Sequence, residues 1–396
     1  MLTINSGSSS LKFSLMTSDG EPRTVFSGVI ERIGQSGARM RARAVNGGPA
    51  IDDAIEAADH AAAIDRLRKW LETTIGWSAI SAVGHRIVHG GSEYIDSCVI
   101  DDDVVAGLRR LIPLAPSHLP GEIAAVEALR QLDPGVPQVC CFDTAFHRDL
   151  PAVARRLTLP RRYESRGMRR YGFHGLSYDY LMGELERQAG REAAQQRVIL
   201  AHLGAGCSMA AVRNGTCIET TMGFTPTAGL MMATRTGDLD PGVMIHLMRE
   251  ERLSADDMES LFTKQSGLLG ASETSADVRD LLEREGTDSR AAEALEMFCY
   301  HARGWIGRLA AALNGLDTLV FSAGIGENSA VIRSRICAGL EWLGIRLDGA
   351  ANQRGATLIT RPDSQVAVRV IRTNEELMIF REVTRLLSKS SRDIGG

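Results

Sequence analysis

Leu2-Thr3-Ile4-Asn5-Ser6-Gly7-Ser8-Ser9-Ser10-Leu11 and Leu200-Ala201-His202-Leu203-Gly204-Ala205-Gly206-Cys207-Ser208-Met209 are the two stretches on which the reading of this chain turns. In each, a short apolar strand runs into a turn of small residues and resumes as a second strand. Glycine and short hydroxyl residues let backbone N–H groups face an anion. Lys12 adds a point charge beside the first turn. Each strand pair closes at a hairpin signal, Asp19-Gly20 in one and Asn214-Gly215 in the other. One copy opens each half of the chain. The expectation is an α/β protein of two similar halves, each offering a phosphate-cradling hairpin to a central cleft whose closure expels water. For either stretch alone, an ordinary polar hairpin stays open as an alternative.

Working outward, apolar patterning predicts strands over 25–30 and 40–45. A helix is expected over 51–75 from the spacing of Ile55, Ile64, Leu67 and Leu71. A second helix, over 121–132, stops at Asp133-Pro134-Gly135 and is followed by a buried strand over 136–142. Further helices are expected over 242–250, 256–264 and 290–313, with strands over 318–321 and 366–372. The chain has 396 residues, beyond the ~250–300 at which a single core stops growing, so two domains are expected.

Composition excludes several functional classes. A formal charge of -4 gives no reason to expect nucleic acid or an anionic membrane as partner. The seven cysteines form no C-x-x-C pair and are odd in number, so reduced thiols are expected rather than a disulfide framework or a zinc site. The opening residues carry no basic or apolar stretch of signal length, and no long apolar run suggests a membrane span. A cytoplasmic location is the expectation.

The Walker pattern and the three-glycine dinucleotide fingerprint are both absent, so a nucleotide would be held by another fold. Arg86 ends an apolar strand before Gly90-Gly91, and Arg235 lies in the loop Thr234-Arg235-Thr236-Gly237-Asp238-Leu239-Asp240-Pro241-Gly242. Two convergent guanidinium forks suit a small anionic substrate, although either alone reads equally as a surface ion pair. Asp143 and Glu375 stand at strand ends, where carboxylates hold magnesium in phosphoryl transfer; a helix cap competes for Asp143. His174, in Tyr171-Gly172-Phe173-His174-Gly175, is a candidate stabiliser of charge or a packed core histidine. Phe321-Ser322-Ala323-Gly324-Ile325-Gly326-Glu327-Asn328 reads as a strand, a glycine turn and a helix start where phosphate or nucleoside can approach backbone.

As an ordered set these segments resemble the acetate kinase family, within the actin, sugar-kinase and heat-shock-chaperone superfamily. The match runs from Leu2 to about Phe380 and rests on seven motifs. They are Asn-x-Gly-Ser-Ser-Ser-x-Lys, His-Arg-x-Val-His-Gly-Gly, Phe-Asp-Thr-Ala-Phe-His, Tyr-Gly-Phe-His-Gly, Thr-Arg-x-Gly-Asp-x-Asp-Pro-Gly, Gly-Ile-Gly-Glu-Asn and Thr-Asn-Glu-Glu. The resemblance implies two duplicated RNase H-like domains with the active-site cleft between them. The first would span 1–145 and be completed by a C-terminal helix over 376–396; the second, nucleotide-binding domain would span 146–375. It implies ATP/ADP as co-substrate, magnesium with manganese as a substitute, a short-chain carboxylate such as acetate as acceptor, and a homodimer.

Residue by residue, the resemblance implies that Asn5, Asp143 and Glu375 serve the metal, with Ser8, Ser10 and Lys12 on phosphate. Arg86 and Arg235 would grip the carboxylate and the transferring phosphoryl, with His174 on the equatorial oxygens. His202, Gly204, Gly206, Asp277, Arg279, Gly324, Gly326 and Asn328 would contact the nucleotide. Val88, Phe173 and Pro226, with Ser117, would form the acyl pocket beside Arg86. Two departures stand out. Ala205 replaces an asparagine of the second hairpin, leaving the backbone donors of Gly204 and Gly206. Ser117 replaces a leucine of the acyl pocket, which keeps propionate, butyrate or another short-chain acid open as substrate; a methylene or two is worth only about 1–3 kcal/mol. A binder without turnover is the remaining alternative. A carboxylate is already ionised, so no general base is expected, and the arginines and His174 are expected to matter more for rate than for folding.

Overall fold

A computed structural model describes residues 1–7, 9–17, 20–45, 47 and 50–393, with side chains described through 388. Ser8 and Asp19, both singled out above, lie outside the described residues. Backbone contacts divide the chain into Met1–Ala145 with Asn374–Gly396, and Phe146–Thr373.

The first unit carries an eight-stranded sheet. Its strands are β1 (Leu2–Ser6), β2 (Ser10–Met16), β3 (Thr24–Glu31), β4 (Arg39–Ala44), β5 (Ala50–Ala54), β6 (Val83–Ile87), β7 (Cys98–Val99) and β8 (Gln138–Phe142). They lie in the order β5-β4-β3-β2-β1-β6-β8-β7. β1 to β5 form an antiparallel meander, while β6 runs parallel to β1 and β8 parallel to β6. Alternate residues bury Leu2, Ile4, Leu11, Phe13 and Ile30 against Ile64, Leu67 and Trp70 of the helix His60–Ile75. Register then fixes chemistry: Asn5 pairs with Lys12 on one side and with Arg86 on the other.

The second unit carries β9 (Arg197–Leu203), β10 (Cys207–Arg213), β11 (Thr216–Thr220), β12 (Thr318–Ser322) and β13 (Ala367–Val370). Their order is β11-β10-β9-β12-β13, with β12 and β13 parallel to β9. The central strands of the first sheet, β3-β2-β1-β6-β8, have the same arrangement of three antiparallel strands continued by two parallel ones. The duplication expected from the two quoted stretches is therefore a duplication of topology. β9 and β10 are buried almost throughout, and Leu181 and Leu185 of the helix Gly175–Ala189 pack on Val198, Leu200, Ala210 and Val212.

One expected element is corrected. The stretch 51–75 is not one helix: Ala50–Ala54 is a strand, and the helix begins at His60 behind Asp59, whose carboxylate accepts from the Ala62 N–H. The pattern of apolar residues masked a cross-strand charge pairing, in which Arg41 lies opposite Asp52 and Arg39 donates to Asp52 at 2.5 Å. The helix Asp102–Leu111 was not anticipated from sequence; Asp101 caps it, accepting from the Val104 N–H.

The last helix, Glu375–Asp393, packs across β6, where Gly84 leaves room for it. A Cβ at Gly84 would stand 2.3 Å from Ile379 Cγ2 and 2.7 Å from Val383 Cγ2. Gly84→Val is expected to lower stability by about 1–3 kcal/mol through overpacking, measured as a fall in the urea midpoint. An unchanged midpoint would mean that this helix does not need the close approach.

Candidate functional site

The first cluster grows from the carboxyl ends of β1, β6 and β8. Arg86 Nη2 and Nε donate to Asp143 Oδ2 at 2.5 and 3.1 Å, and Nη1 donates to Asn5 Oδ1 at 3.3 Å. Asp143 is therefore a strand-end carboxylate facing a guanidinium. Glu122, from the helix Leu119–Leu132, places Oε1 3.9 Å from Arg86 Nη1, and its Oε2 accepts from the Val88 N–H at 3.0 Å. Glu375 opens the last helix within the electrostatic reach of Arg86, Asp143 and Lys12.

One arginine thus faces three carboxylates. Burial works to lower the Arg86 pKa, but Asp143, Glu122 and Glu375 outweigh it and hold the group above its ordinary value. Burial pushes Glu122 up to about 8 against the pull of Arg86 and the Val88 N–H. Burial, then the charge of Asp143, pushes Glu375 up to about 7. Both effects disfavour the charged carboxylate.

The first hairpin is braced from below. The Gly7 N–H donates to Ser10 O at 2.7 Å, and His60 Nε2 lies 2.8 Å from Gly7 O. Lys12 is exposed on β2, Val88 is buried, and Ser117 is exposed with its Oγ 3.3 Å from His118 Nδ1.

The second unit gathers its own set around Gly206. A Cβ there would lie 2.8 Å from Arg235 Nη2 and 3.4 Å from His174 Nε2, so glycine lets both side chains close over the backbone. Arg235 Nη1 donates to Pro226 O at 2.6 Å. His174 holds a left-handed backbone (φ 59°) at the start of the helix Gly175–Ala189. Its Nδ1 meets Ser208 Oγ at 2.8 Å, and its ring stacks on His202 at 4.2 Å. His202 Nδ1 in turn meets Ser177 Oγ at 2.8 Å. Phe173 is buried, and its carbonyl lies 3.0 Å from His147 Nε2.

Beside this set, Gly204, Ala205, Asp277, Arg279, Gly324 and Asn328 line a cavity of about 1230 Å³. Asp277 caps the helix Val278–Arg284 and holds Arg279 through Nη2 at 2.7 Å. Gly326 is buried, and its carbonyl accepts from Arg333 Nη1 at 2.9 Å. The expected strand, turn and helix start is tighter than read: the helix Ala323–Asn328 begins directly after β12, with Ala323 left-handed and both glycines inside it. The Gly204 N–H, expected as a phosphate donor, instead donates to Gly206 O at 3.1 Å and closes the turn.

A family model, described as the acetokinase family, matches residues 1–381. The chain belongs to the acetokinase family. It is 46% identical over 391 residues to an acetate kinase of Rhodopseudomonas palustris, covering 98% of each chain. Crystal structures agree in fold: an acetate kinase of Porphyromonas gingivalis has a TM-score of 0.90 at 36% identity, covering 98% of this chain and 99% of that one. A propionate kinase of Francisella tularensis has 0.92 at 34%, covering 97% and 99%. The two-sheet α/β architecture read from the hairpins is the acetokinase fold.

A divalent cation is what this family's chemistry implies, and the first cluster suits one. Asp143 Oδ1 is buried and has no hydrogen-bond partner, and Glu375 stands beside it with its carboxyl pushed up. Asp143 and Glu375 offer oxygen donors to a cation, whose charge would favour their ionised forms. Among the described residues no three His, Cys, Asp or Glu side chains form a metal cage. Magnesium asks for less, since one or two carboxylates suffice when substrate phosphates and water complete its shell.

Sequence reasoning missed Glu122 and Arg333. Glu122 is a helix residue whose partners, Arg86 on β6 and Val88 just after it, lie more than thirty residues away in the chain. Arg333 is buried and held by Asn352, Gly326 O and Glu327 O, bracing the helix whose glycine lines the cavity. It is held by amide and carbonyl oxygens, which leave no charge pattern to read.

Two predictions follow from the burial of these groups. Arg86→Ala would leave Asp143 and Glu122 buried without their cation, so it is expected to cost about 3–5 kcal/mol of stability as well as activity. This revises the expectation that Arg86 matters little for folding; an unchanged melting temperature would restore it. His85 and His147 are also buried, and burial lowers both to about 4. The unfolded chain takes up protons below about pH 6.5 that these rings refuse, so the stability they contribute is complete above that value and lost as pH falls toward about 4. The urea midpoint should fall less steeply between about pH 7 and about pH 5 in His85→Gln than in the parent. Equal slopes would remove His85 as a cause.

Proposed function

We propose that this chain transfers a phosphoryl group reversibly between ATP and acetate, giving acetyl phosphate and ADP. The observation that carries the reading is Arg86, a partly buried guanidinium oriented by Asp143 and Asn5 in a chain that belongs to the acetokinase family. A fixed fork of N–H donors matches a carboxylate, and the acceptor oxygen needs no base because it is already ionised.

In this reading Asn5, Asp143 and Glu375 hold magnesium, with manganese as its substitute; when bound, the ion neutralises charge on the phosphate oxygens. Lys12 and Ser10 serve the phosphates from the first hairpin. The cavity lined by Gly204, Asp277, Arg279, Gly324 and Asn328 is large enough for a nucleotide and takes ATP. Arg235 and His174, brought together over Gly206, stabilise charge on the transferring group. Catalysis is positioning and electrostatics, the form that a loose phosphoryl transition state favours. The chain works in the cytoplasm as a homodimer; among the described residues no helix is long and apolar enough to cross a membrane.

A second substrate stays in view because Ser117 is small, polar and exposed, and because the propionate kinase structure is as similar as the acetate kinase one. Val88, Phe173 and Pro226 supply the apolar contacts in this reading. Hydroxamate trapping of the acyl phosphate, with MgATP and acetate, propionate, butyrate or glycolate, decides it. Acetate is expected to give the highest kcat/KM, with propionate within about a hundredfold because a methylene carries little discrimination. A longer or hydroxylated acid leading by tenfold would move the substrate, and ATP binding without any acyl phosphate would sink the enzyme reading.

A further inference from the structure

Among the described residues, six of the seven cysteines are buried, and Cys98 is the partly exposed one. It lies on β7, the two-residue strand at the edge of the first sheet, directly opposite Cys140 of β8. Directly opposed residues of an antiparallel pair share a face, with Cα atoms about 4.5–5.5 Å apart. A disulfide spans Cα separations of about 4.4–6.8 Å, so this register needs only a small adjustment to be bridged. The edge is anchored next door by the Ile100 N–H, which donates to Gln138 O at 2.8 Å.

The register sets the two thiols side by side. The neighbouring Cys140 holds the Cys98 thiol below its ordinary range, against burial and the charge of Asp101. Cys140 is pushed up by burial, by the neighbouring Cys98, and by the charges of Cys141 and Glu122. Tyr94 also faces the pair. The remaining cysteines, Cys141, Cys207, Cys217, Cys299 and Cys337, are buried and raised by that burial. Thiolate character and access together select Cys98 as the reactive sulfur and Cys140 as its resolving partner.

We propose that Cys98 and Cys140 are an oxidation site for peroxide-class oxidants, closing to a cross-strand disulfide that restrains β8 and lowers turnover. The Cys98 thiolate attacks one peroxide oxygen, the O–O bond breaks, and hydroxide leaves to take up a proton as water. Cys98 is then a sulfenic acid. The Cys140 sulfur attacks the Cys98 sulfur, the S–O bond breaks, and water leaves with the Cys140 proton. Two thiols have lost two electrons and two protons, and the peroxide has become two waters. A small-molecule dithiol reverses the bond by exchange.

The effect on turnover follows from position, and this arm rests on the kinase reading. Cys140 pairs with His85 and Cys141 with Arg86 across β6 and β8, and Asp143 follows three residues after Cys140. Drawing Cys140 toward the sheet edge shifts the strand end from which Asp143 holds Arg86.

The test treats the full chain with hydrogen peroxide, maps peptides by mass, and assays acyl phosphate before and after dithiothreitol. The expected result is a Cys98–Cys140 peptide lighter by two hydrogens, a several-fold fall in kcat, and recovery on reduction. Cys98→Ser should keep its activity through the treatment. Cys140→Ser should leave Cys98 as a sulfenic acid that dimedone captures. Absence of the linked peptide, or oxidation of other cysteines in its place, overturns the site. A linked peptide with unchanged kcat overturns the restraint on turnover. Absence of kinase activity before oxidation would count against the functional reading, while the mass map still decides the thiol pair.

Discussion

A single guanidinium surrounded by carboxylates organises the first unit. Arg86 is oriented by Asp143 and Asn5, approached by Glu122, and felt by Glu375. Each of these four groups comes from a different element: β1, the residue after β8, and two helices. The sheet register that aligns Asn5 with Arg86 is therefore a condition for the charge cluster, not a consequence of it. The cluster is also unbalanced, since a single guanidinium faces two buried acids, Asp143 and Glu122, and the partly buried Glu375. Burial first, and the neighbouring charge of Asp143 after it, raises Glu122 and Glu375, and a divalent ion would favour their ionised forms.

The second unit solves a different problem with the same strand order. Its hairpin carries glycines where the first carries serines. Gly204 closes the turn and Gly206 admits Arg235 and His174. Ala205, where the family motif has asparagine, lends its carbonyl to the Ala233 N–H at 3.1 Å. The loop before Arg235 is thereby tied to the hairpin by backbone, whatever side chain stands at position 205. Strain is concentrated here as well: His174 and Ala323 both hold left-handed backbones beside the hairpin, a cost of about 1–3 kcal/mol each that the buried sheet must sustain.

Much of this was legible in the sequence because the informative residues are local. Strand, small-residue turn and strand can be read from ten consecutive letters, and the paired copies imply duplication. Asp143 at a strand end and Gly206 in a turn carry their geometry in their neighbours. What was not legible depends on partners distant in the chain. Glu122 looks like a surface position of a helix until β6 brings Val88 and Arg86 to it. Arg333 is indistinguishable from dozens of other arginines until Asn352 encloses it. The strand Ala50–Ala54 was absorbed into a helix because its exposed alternation offers few apolar residues; its pairing with β4 is carried by charge instead. Cys98 opposite Cys140 likewise exists only in the folded register.

The helix Glu375–Asp393 belongs with the first hundred and forty-five residues although it is made only after the whole of the intervening unit. A ribosome delivers the whole of the intervening unit before this helix emerges. Until then Gly84 and the face of β6 lack Ile379 and Val383, and the charge cluster lacks Glu375. Domains fold as they are synthesised, so the second unit can close early while the first waits open. A chain that stopped before this helix would display that bare sheet face permanently, and would offer chaperones and proteases a ready mark of incomplete translation.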